Sequence, residues 1–276
     1  MYKVVYLEGD SPVFFSTSTH AIFLKEKFYM VTTHATNRRS EQGFTLVELA
    51  IVMVIIGLLI GGILKGQELI NNAKISATVT QLKSMDAALN TFQDKYAALP
   101  GDMLRATNRL PNCATAPCNI SGDGNSQYAN QAGSAPTNSQ EGTVAFAHLS
   151  AADLLSGISV SSGNNPSPPS FGGLLPAVKV GGGMWLGSST TGGAAAGIST
   201  LTPNRTYLAL NGTNVAVTNS TGALTPVDAA QIDRKIDDGM PSGGSVQSIC
   251  LVGITNGEYD EGATSGTCAM YVRVLN

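Results

Sequence analysis

The sequence predicts an α+β fold in which one long N-terminal helix packs against an antiparallel β-sheet. Three observations carry this prediction. Residues 44–64 are almost entirely apolar. Apolar side chains then recur at spacings of three and four residues up to about residue 99, which is the period of an α-helix. The last third of the chain holds short apolar segments bounded by turn residues, as strands are.

The first element, residues 44–64, is long enough to cross a membrane. About 20 residues in a helix span a hydrocarbon core of roughly 30 Å. The one charge in the segment is Glu48. A carboxylate at the centre of a membrane helix costs about 2.5–3.5 kcal/mol even on the lenient insertion scale. Glu48 is therefore a candidate functional residue, and the alternative is a helix end at which its side chain reaches the lipid headgroups.

The second element, residues 65–99, is an amphipathic continuation of the same helix. Its apolar positions are Leu82, Met85, Leu89, Phe92 and Tyr96. We expect the helix to end near Leu99, because Pro100 disfavours helix in the residue before it and Gly101 opens a turn. A helix from residue 44 to about 98 would be about 80 Å long. Its first half must be covered by lipid or by other copies of the chain.

Residues 100–276 are predicted to form a globular head. Loop signals dominate its first half, at residues 163–169, 181–183 and 192–193, with one short helix predicted at 143–155. In the last third, Asn211-Gly212 predicts a hairpin between strands 206–210 and 214–217. Thr225 as N-cap and Pro226 at the first position start a helix that Gly239 ends. Two further strands are predicted at 246–252 and 269–275.

All four cysteines follow the apolar segment, and they are Cys113, Cys118, Cys250 and Cys268. An even number of cysteines in an exported region favours disulfides, with three possible pairings. Zinc is the alternative. The spacing of Cys113 and Cys118 lacks a second close pair or a histidine nearby in the sequence, so we favour disulfides.

The stretch Gly43-Phe44-Thr45-Leu46-Val47-Glu48-Leu49 resembles the processing site of type IV prepilins and of type II secretion pseudopilins. The resemblance implies cleavage after Gly43 by a membrane peptidase and N-methylation of Phe44. It also implies that Glu48 meets the positive N-terminal amine of an adjacent subunit. A secretory signal peptide has its apolar core before the cleavage site. A cut at Gly43 would instead leave the apolar segment on the mature chain as its anchor.

The same resemblance extends to the fold and to the cysteines. It implies a pilin-like head on the long helix, and Cys250–Cys268 resembles the C-terminal disulfide loop of many type IV pilins. Cys113–Cys118 would then pin a local turn. Residues 96–102, 122–125 and 232–241 look like a subgroup of prepilin-type proteins with large heads. In one respect the chain departs from the family, which usually carries a proline soon after the apolar segment.

Residues 1–43 are predicted to be the leader peptide. Arg38 and Arg39 lie just before the apolar segment, as the excess of positive charge on the cytoplasmic side predicts. Met30 lies fourteen residues from the expected cut, and residues 30–43 would make a compact basic leader. We favour a translation start at Met30, and a long leader from Met1 is the alternative.

Other chemistry has little support in the sequence. Asp123 and Asn125 alternate with glycines and are weak calcium candidates, but no acid follows at the twelfth position and a plain turn is favoured. We predict no other metal and no cofactor. His148 is the one histidine after Phe44, and no Ser-His-Asp order, zinc-protease motif or phosphate-binding glycine loop occurs. We therefore expect no enzyme.

The expected function is structural, as a subunit of a type IV pilus or a type II secretion pseudopilus. A net charge of −3 argues against a nucleic acid as partner. Expected partners are other pilin or pseudopilin subunits, the prepilin peptidase, an inner-membrane assembly platform and membrane lipid. The chain would cross the bacterial inner membrane once, with its head in the periplasm, and then enter a pilus, a pseudopilus or the cell surface. The alternative is a membrane-anchored surface binding protein or adhesin that does not polymerise.

Overall fold

A computed structural model of the chain describes residues 43–129, 132, 134–159, 169–189, 205–218, 220–263 and 265–275. Its helices are α1 (Leu46–Tyr96), α2 (Ala106–Arg109), α3 (Glu141–Ala151) and α4 (Pro226–Ile236). Its strands are β1 (Gly183–Ser188), β2 (Thr206–Asn211), β3 (Val246–Cys250), β4 (Ile254–Thr255), β5 (Glu258–Tyr259) and β6 (Cys268–Val274). A long helix followed by an antiparallel sheet confirms the predicted α+β fold and its pilin-like plan.

The chain divides into two units after Val54, and the unit that begins at Ile55 contains the head. The leader before residue 43, including Met30, lies outside the described residues, as do most of the predicted loop 163–169 and all of the loop at 192–193.

Helix α1 starts and stops close to the predicted positions. It ends at Tyr96 because Ala97 takes a left-handed backbone conformation, with φ 49°, ahead of Leu99-Pro100. Its C-terminal half is amphipathic, with one face buried. The buried side chains recur every three or four residues and are Ile75, Thr78, Val79, Leu82, Met85, Ala88, Leu89 and Phe92. This stripe belongs to the same hydrophobic core as the sheet, so α1 is the element on which the head is built.

The head contains a four-stranded antiparallel sheet in the order β1-β2-β6-β3. The three strands β1, β2 and β6 are almost continuously buried, as expected for a sheet covered on both faces. Leu208 of β2 pairs with Val272 of β6, and Val246 of β3 pairs with the same residue from the other side. The predicted strands 246–252 and 269–275 are thereby confirmed, each within two residues of its predicted end.

The hairpin predicted at Asn211-Gly212 is wrong. Strand β2 pairs with β1 and β6, and residues 214–217 form no strand. The Asn211 side chain donates instead to the carbonyl oxygens of Thr213 and Val215, at 3.0 and 3.3 Å, and so holds a wider loop. The other Asn-Gly pair, Asn256-Gly257, makes the tight hairpin between β4 and β5. Both of its residues have positive φ, as a type I′ turn requires.

Strand β1 was missed because Gly181, Gly182 and Gly183 indicate a loop. Gly183 nevertheless begins the strand. A glycine is required at this position because a Cβ there would lie 2.1 Å from the ring of Phe171. Among the helices, α4 begins as predicted: Thr225 Oγ1 accepts a hydrogen bond from the Asp228 N–H at 3.1 Å. It ends at Ile236, ahead of Gly239. Helix α3 lies two to four residues earlier than the predicted 143–155.

Candidate functional site

The first turn of α1 contains a reciprocal pair of hydrogen bonds between Thr45 and Glu48. Thr45 Oγ1 accepts from the Glu48 backbone N–H at 3.2 Å. Glu48 Oε2 in turn accepts from the Thr45 N–H and from the Thr45 hydroxyl, both at 2.8 Å. This is a capping box, which satisfies two backbone donors that a helix start otherwise leaves without partners. Sequence reasoning missed this role of Thr45, although the pattern Thr-x-x-Glu is typical of a capping box.

The capping box changes what Glu48 can do in a membrane. Its carboxylate receives two hydrogen bonds from its own helix, which lowers the cost of removing it from water. Both bonds go to one oxygen, Oε2, so the carboxylate keeps capacity to accept from a further donor such as an amine. Glu48 therefore caps the start of α1 and can still accept a hydrogen bond from a donor on another molecule.

The surface of α1 after this turn is apolar on every side. Its exposed large side chains up to Leu64 are Leu46, Val47, Leu49, Ile51, Val52, Met53, Val54, Ile55, Ile56, Leu58, Leu59, Ile60, Ile63 and Leu64. Within the described residues, α1 is the one helix long and apolar enough to cross a membrane. None of the most apolar stretch is buried, unlike the core helix of a soluble protein. A surface of this kind requires lipid or other helices around it.

Beyond Leu64 the helix becomes polar and attaches to the head. Lys65 and Glu68 form an exposed ion pair at 2.7 Å. Asn71 donates from Nδ2 to Asp228 Oδ1 at 2.8 Å, and Lys235 donates from Nζ to Ser76 Oγ at 2.8 Å. Asp228 lies in the first turn of α4 and Lys235 in its last turn. Helix α4 therefore lies along α1, with its first turn at the lower-numbered position of α1.

The four cysteines form two disulfides, Cys113–Cys118 and Cys250–Cys268. Cys250 and Cys268 are directly opposite each other at the ends of β3 and β6, so their bond closes the edge of the sheet. Cys113 and Cys118 close a turn of four intervening residues.

His148 lies beside the Cys113–Cys118 disulfide in space, although it is thirty residues from Cys118 in sequence. The sequence has no histidine close to Cys113 and Cys118, but the fold brings His148 beside them. His148 Nδ1 accepts from the Gly101 N–H at 2.8 Å, and Nε2 donates to the Cys118 carbonyl oxygen at 2.9 Å. Burial lowers the pKa of His148, which favours this neutral form. Both ring nitrogens and both sulfurs are occupied, so this group offers no free ligand to zinc.

The calcium candidates Asp123 and Asn125 bond to each other. Asp123 accepts from the backbone and side-chain nitrogens of Asn125, at 3.0 and 2.8 Å. Asp123 also approaches Asp102 and Glu141, with carboxylate oxygens within 4.8 Å of one another. Asp102 is buried and accepts from the Gly124 and Ser126 N–H groups, both at 2.7 Å. Burial raises the pKa of Asp102 and of Glu141, so protonation lowers the repulsion within this group.

The comparisons with known proteins concern the region of the Thr45–Glu48 pair. Residues 38–64 match the family model described as the prokaryotic N-terminal methylation motif. No curated protein and no solved structure matches the chain. The matched residues span the basic stretch before Gly43, the capping box and the apolar part of α1. Residues 38–64 thus carry the N-terminal signature of type IV prepilins and pseudopilins. The chain that follows them has a pilin-like α+β fold.

Proposed function

We propose that this chain is a structural subunit of a type IV pilus or of a type II secretion pseudopilus. It is made as a precursor, cut after Gly43 by prepilin peptidase and N-methylated on Phe44. The observation that carries the proposal is the capped acid Glu48 at the start of a helix that is otherwise apolar, and exposed on all sides, up to Leu64. An ordinary membrane anchor needs the apolar surface but has no need of the acid.

The proposed cut preserves the structure that surrounds Glu48. Thr45 becomes the second residue of the mature chain, so both members of the capping box remain. Cleavage also creates a positive amine on Phe44. A charge buried in lipid or in a helix bundle needs an opposite charge or strong hydrogen bonds. Glu48 of one subunit supplies that charge for the amine of a neighbour, and this pairing sets the axial register between subunits.

The exposed apolar surface of α1 must be covered, and assembly provides one way of covering it. In the membrane its apolar side chains are covered by lipid, and in the filament by the same helices of other subunits. The partners are accordingly other pilin or pseudopilin subunits, the prepilin peptidase, an inner-membrane assembly platform and lipid. Before assembly the chain is held in the inner membrane by residues 44–64, with residues 100–276 in the periplasm. Nothing in this arrangement calls for catalysis.

The proposal is tested by mass spectrometry of the protein extracted from membranes of its native host. The expected result is a mature chain whose N-terminal peptide begins with N-methylated Phe44. A Gly43→Val variant is the matched control and should keep its leader, because the peptidase requires an unhindered backbone at the cut. An intact leader on the unmodified protein, or a cut elsewhere, would overturn the proposal and favour a membrane-anchored binding protein that does not polymerise.

A further inference from the structure

Three acidic side chains meet at one point of the head, where Asp102 follows α1 and Glu141 begins α3. Carboxylate oxygens of Asp102, Asp123 and Glu141 lie within 4.8 Å of one another. We call these three residues the acid cluster. In the part of the chain that the structure describes, no lysine, arginine or histidine forms an ion pair with them. Carboxylates held this close repel one another, and the positive end of α3 offsets only about half an elementary charge.

A buried hydroxyl lies beside the acid cluster. Tyr128 is 1% exposed, and its Oη has no hydrogen-bond partner among the described residues. The chain on either side of Tyr128 is bonded to the cluster: the Ser126 N–H donates to Asp102 and the Ala129 N–H to Glu141, both at 2.7 Å. Burial, and then the charges of Asp102 and Glu141, raise the pKa of Tyr128, so the hydroxyl is close to both carboxylates. Because buried hydroxyls normally have a partner, Tyr128 can bond to a group that enters the cluster.

A cavity leads from the surface of the head to the acid cluster. Its volume of about 460 Å³ lies within the range of roughly 300–1,000 Å³ that is usual for small-ligand sites. Asp123 and Glu141 line the cavity together with Ser121, Ser139 and Gln140. The walls therefore offer oxygen acceptors next to two of the three acids, and a ligand can reach the cluster from solvent.

The spacing of the acid cluster fits an ammonium group. Three oxygens within 4.8 Å of one another have a central point no more than about 2.8 Å from each, and N⁺–H···O⁻ bonds are about 2.7–2.9 Å long. A primary ammonium has three donors and no acceptor, which matches three carboxylates. A calcium ion requires about six to eight oxygen ligands. Backbone N–H groups already bond to both oxygens of Asp102, and Asn125 bonds to both of Asp123, so an ammonium is favoured over a metal shell.

From this geometry we propose that the acid cluster binds a primary ammonium group, carried by a lysine side chain or by a small amine. The ammonium enters through the cavity and donates to Asp123 and Glu141, and its third N–H is shared between Asp102 and the Tyr128 hydroxyl. The alkyl chain of the ligand occupies the rest of the cavity. The site lies wholly within the head, so it does not depend on cleavage at Gly43 or on assembly into a filament.

Thermal unfolding of the full chain in micelles, followed by the fluorescence of Trp185, tests this proposal. The test ligand is n-butylammonium chloride, because its ammonium and alkyl chain imitate a lysine side chain. Tetramethylammonium chloride carries the same charge without an N–H donor, and sodium chloride controls for ionic strength. A ligand that binds only the folded state raises the melting temperature as its concentration increases. We expect this rise with butylammonium and not with the two control salts.

Substitutions in the acid cluster should weaken this binding. Glu141→Gln and Asp123→Asn should each raise the butylammonium concentration needed for the same rise by about tenfold, because each removes one charged acceptor. Glutamine at residue 141 can still accept from the Ala129 N–H, so the loop is retained. Glu258→Gln removes an exposed acid in β5 and is the matched control, which should bind normally. Tyr128→Phe should weaken binding several-fold without lowering the melting temperature of the free protein, because its hydroxyl has no partner to lose.

Two sources of the ammonium are distinguished by carbodiimide treatment of membranes from the native host, because this reagent joins a carboxylate to an amine in contact with it. A cross-link between the peptide that contains Glu141 and a lysine of another protein chain assigns the ammonium to that chain. A butylammonium effect without such a cross-link assigns it to a small amine. An equal rise with tetramethylammonium or sodium, or a rise that persists undiminished in Glu141→Gln, would overturn the inference. A rise with calcium in place of butylammonium would overturn it as well.

Discussion

The hydroxyl of Tyr259 donates a hydrogen bond to Asp233 Oδ2 at 2.9 Å, and both side chains are buried. Tyr259 lies in β5, inside the disulfide loop, and Asp233 lies in α4. The same hydroxyl is 2.8 Å from Ser248 Oγ of β3. This contact therefore ties the loop, the helix and the edge of the sheet together at one point. It fixes the loop along α4.

Removing the Tyr259 hydroxyl should destabilise the head. Tyr259→Phe keeps the ring but leaves the buried Asp233 oxygen without this donor. Losing a partner of a buried polar group costs about 1–3 kcal/mol. The measurement is the free energy of unfolding in detergent micelles, followed by the fluorescence of Trp185. Tyr207→Phe, in the central strand β2, replaces another buried tyrosine and measures the effect of the hydroxyl elsewhere in the core. Equal stability of Tyr259→Phe and the parent protein would contradict the role given to this contact.

The contribution of Asp233 to the stability of the head should fall as the pH rises from about 4 to above 6. Burial raises the pKa of Asp233 from the ordinary value of 3.8 to about 6. Between these values the folded state binds more protons than the unfolded chain, so its advantage is full below the lower pKa and is lost as the pH passes the higher one. The raised pKa values of Asp102 and Glu141 act in the same direction. The lowered pKa of His148 acts in the opposite direction, so the effect of Asp233 is measured against an Asp233 variant, at pH 4.5 and at pH 7.5.

Asp233→Asn separates the contribution of Asp233 from those of the other two acids. Asparagine does not titrate, so the difference in melting temperature between the parent protein and Asp233→Asn should favour the parent protein more at pH 4.5 than at pH 7.5. An unchanged difference would mean that Asp233 does not carry the effect. A difference that favours the parent protein more at pH 7.5 than at pH 4.5 would contradict the prediction altogether.

Replacing the cysteines in pairs should cost more at the sheet edge than at the short turn. In the chain-entropy account, closing the larger loop between Cys250 and Cys268 contributes about 3 kcal/mol, and closing the loop between Cys113 and Cys118 about 2 kcal/mol. The two double variants to serine are compared in the same micelles by thermal unfolding. Each serves as the control for the other. A larger loss for the Cys113 and Cys118 variant would show that local packing, and not loop length, determines the contribution.

Much of the fold could be predicted because it depends on local patterns. The apolar run before Leu64 and the one-faced stripe after Ile75 define α1, and Thr225-Pro226 defines the start of α4. The errors occur where tertiary contacts determine the local structure. Asn211 bonds across a wide loop, and the ring of Phe171 takes the space beside Gly183.

In the candidate site, too, the local features could be predicted and the tertiary contacts could not. Glu48 and its partner Thr45 are three residues apart, so the sequence contains the whole capping box. His148 and Cys118 meet only after α3 has packed against the turn that holds the disulfide. The contact of Tyr259 with Asp233 depends on the small hairpin of β4 and β5, whose strands have two residues each and give almost no periodic signal.

Calcium should leave the melting temperature unchanged. The oxygens of Asp123 already accept hydrogen bonds from Asn125, as in a plain turn. The measurement compares unfolding of the full chain in micelles with added calcium and with a calcium chelator. A higher melting temperature in calcium that disappears in Asp123→Asn would contradict this prediction and identify a calcium site at Asp123.

Glu48→Gln should abolish incorporation into filaments although it retains the capping box. Glutamine at this position can still accept from the Thr45 N–H, so the start of α1 is preserved. It carries no charge, however, and cannot pair with the amine of a neighbour. Glu48→Ala loses both functions, and Thr45→Ala loses the cap alone, at a cost of about 1 kcal/mol. The measurement is the amount of each variant in sheared filaments relative to membranes, with Glu68→Gln as an exposed acid of the same helix that should assemble normally. Normal assembly of Glu48→Gln beside failure of Thr45→Ala would mean that Glu48 acts through the cap and that register does not depend on its charge.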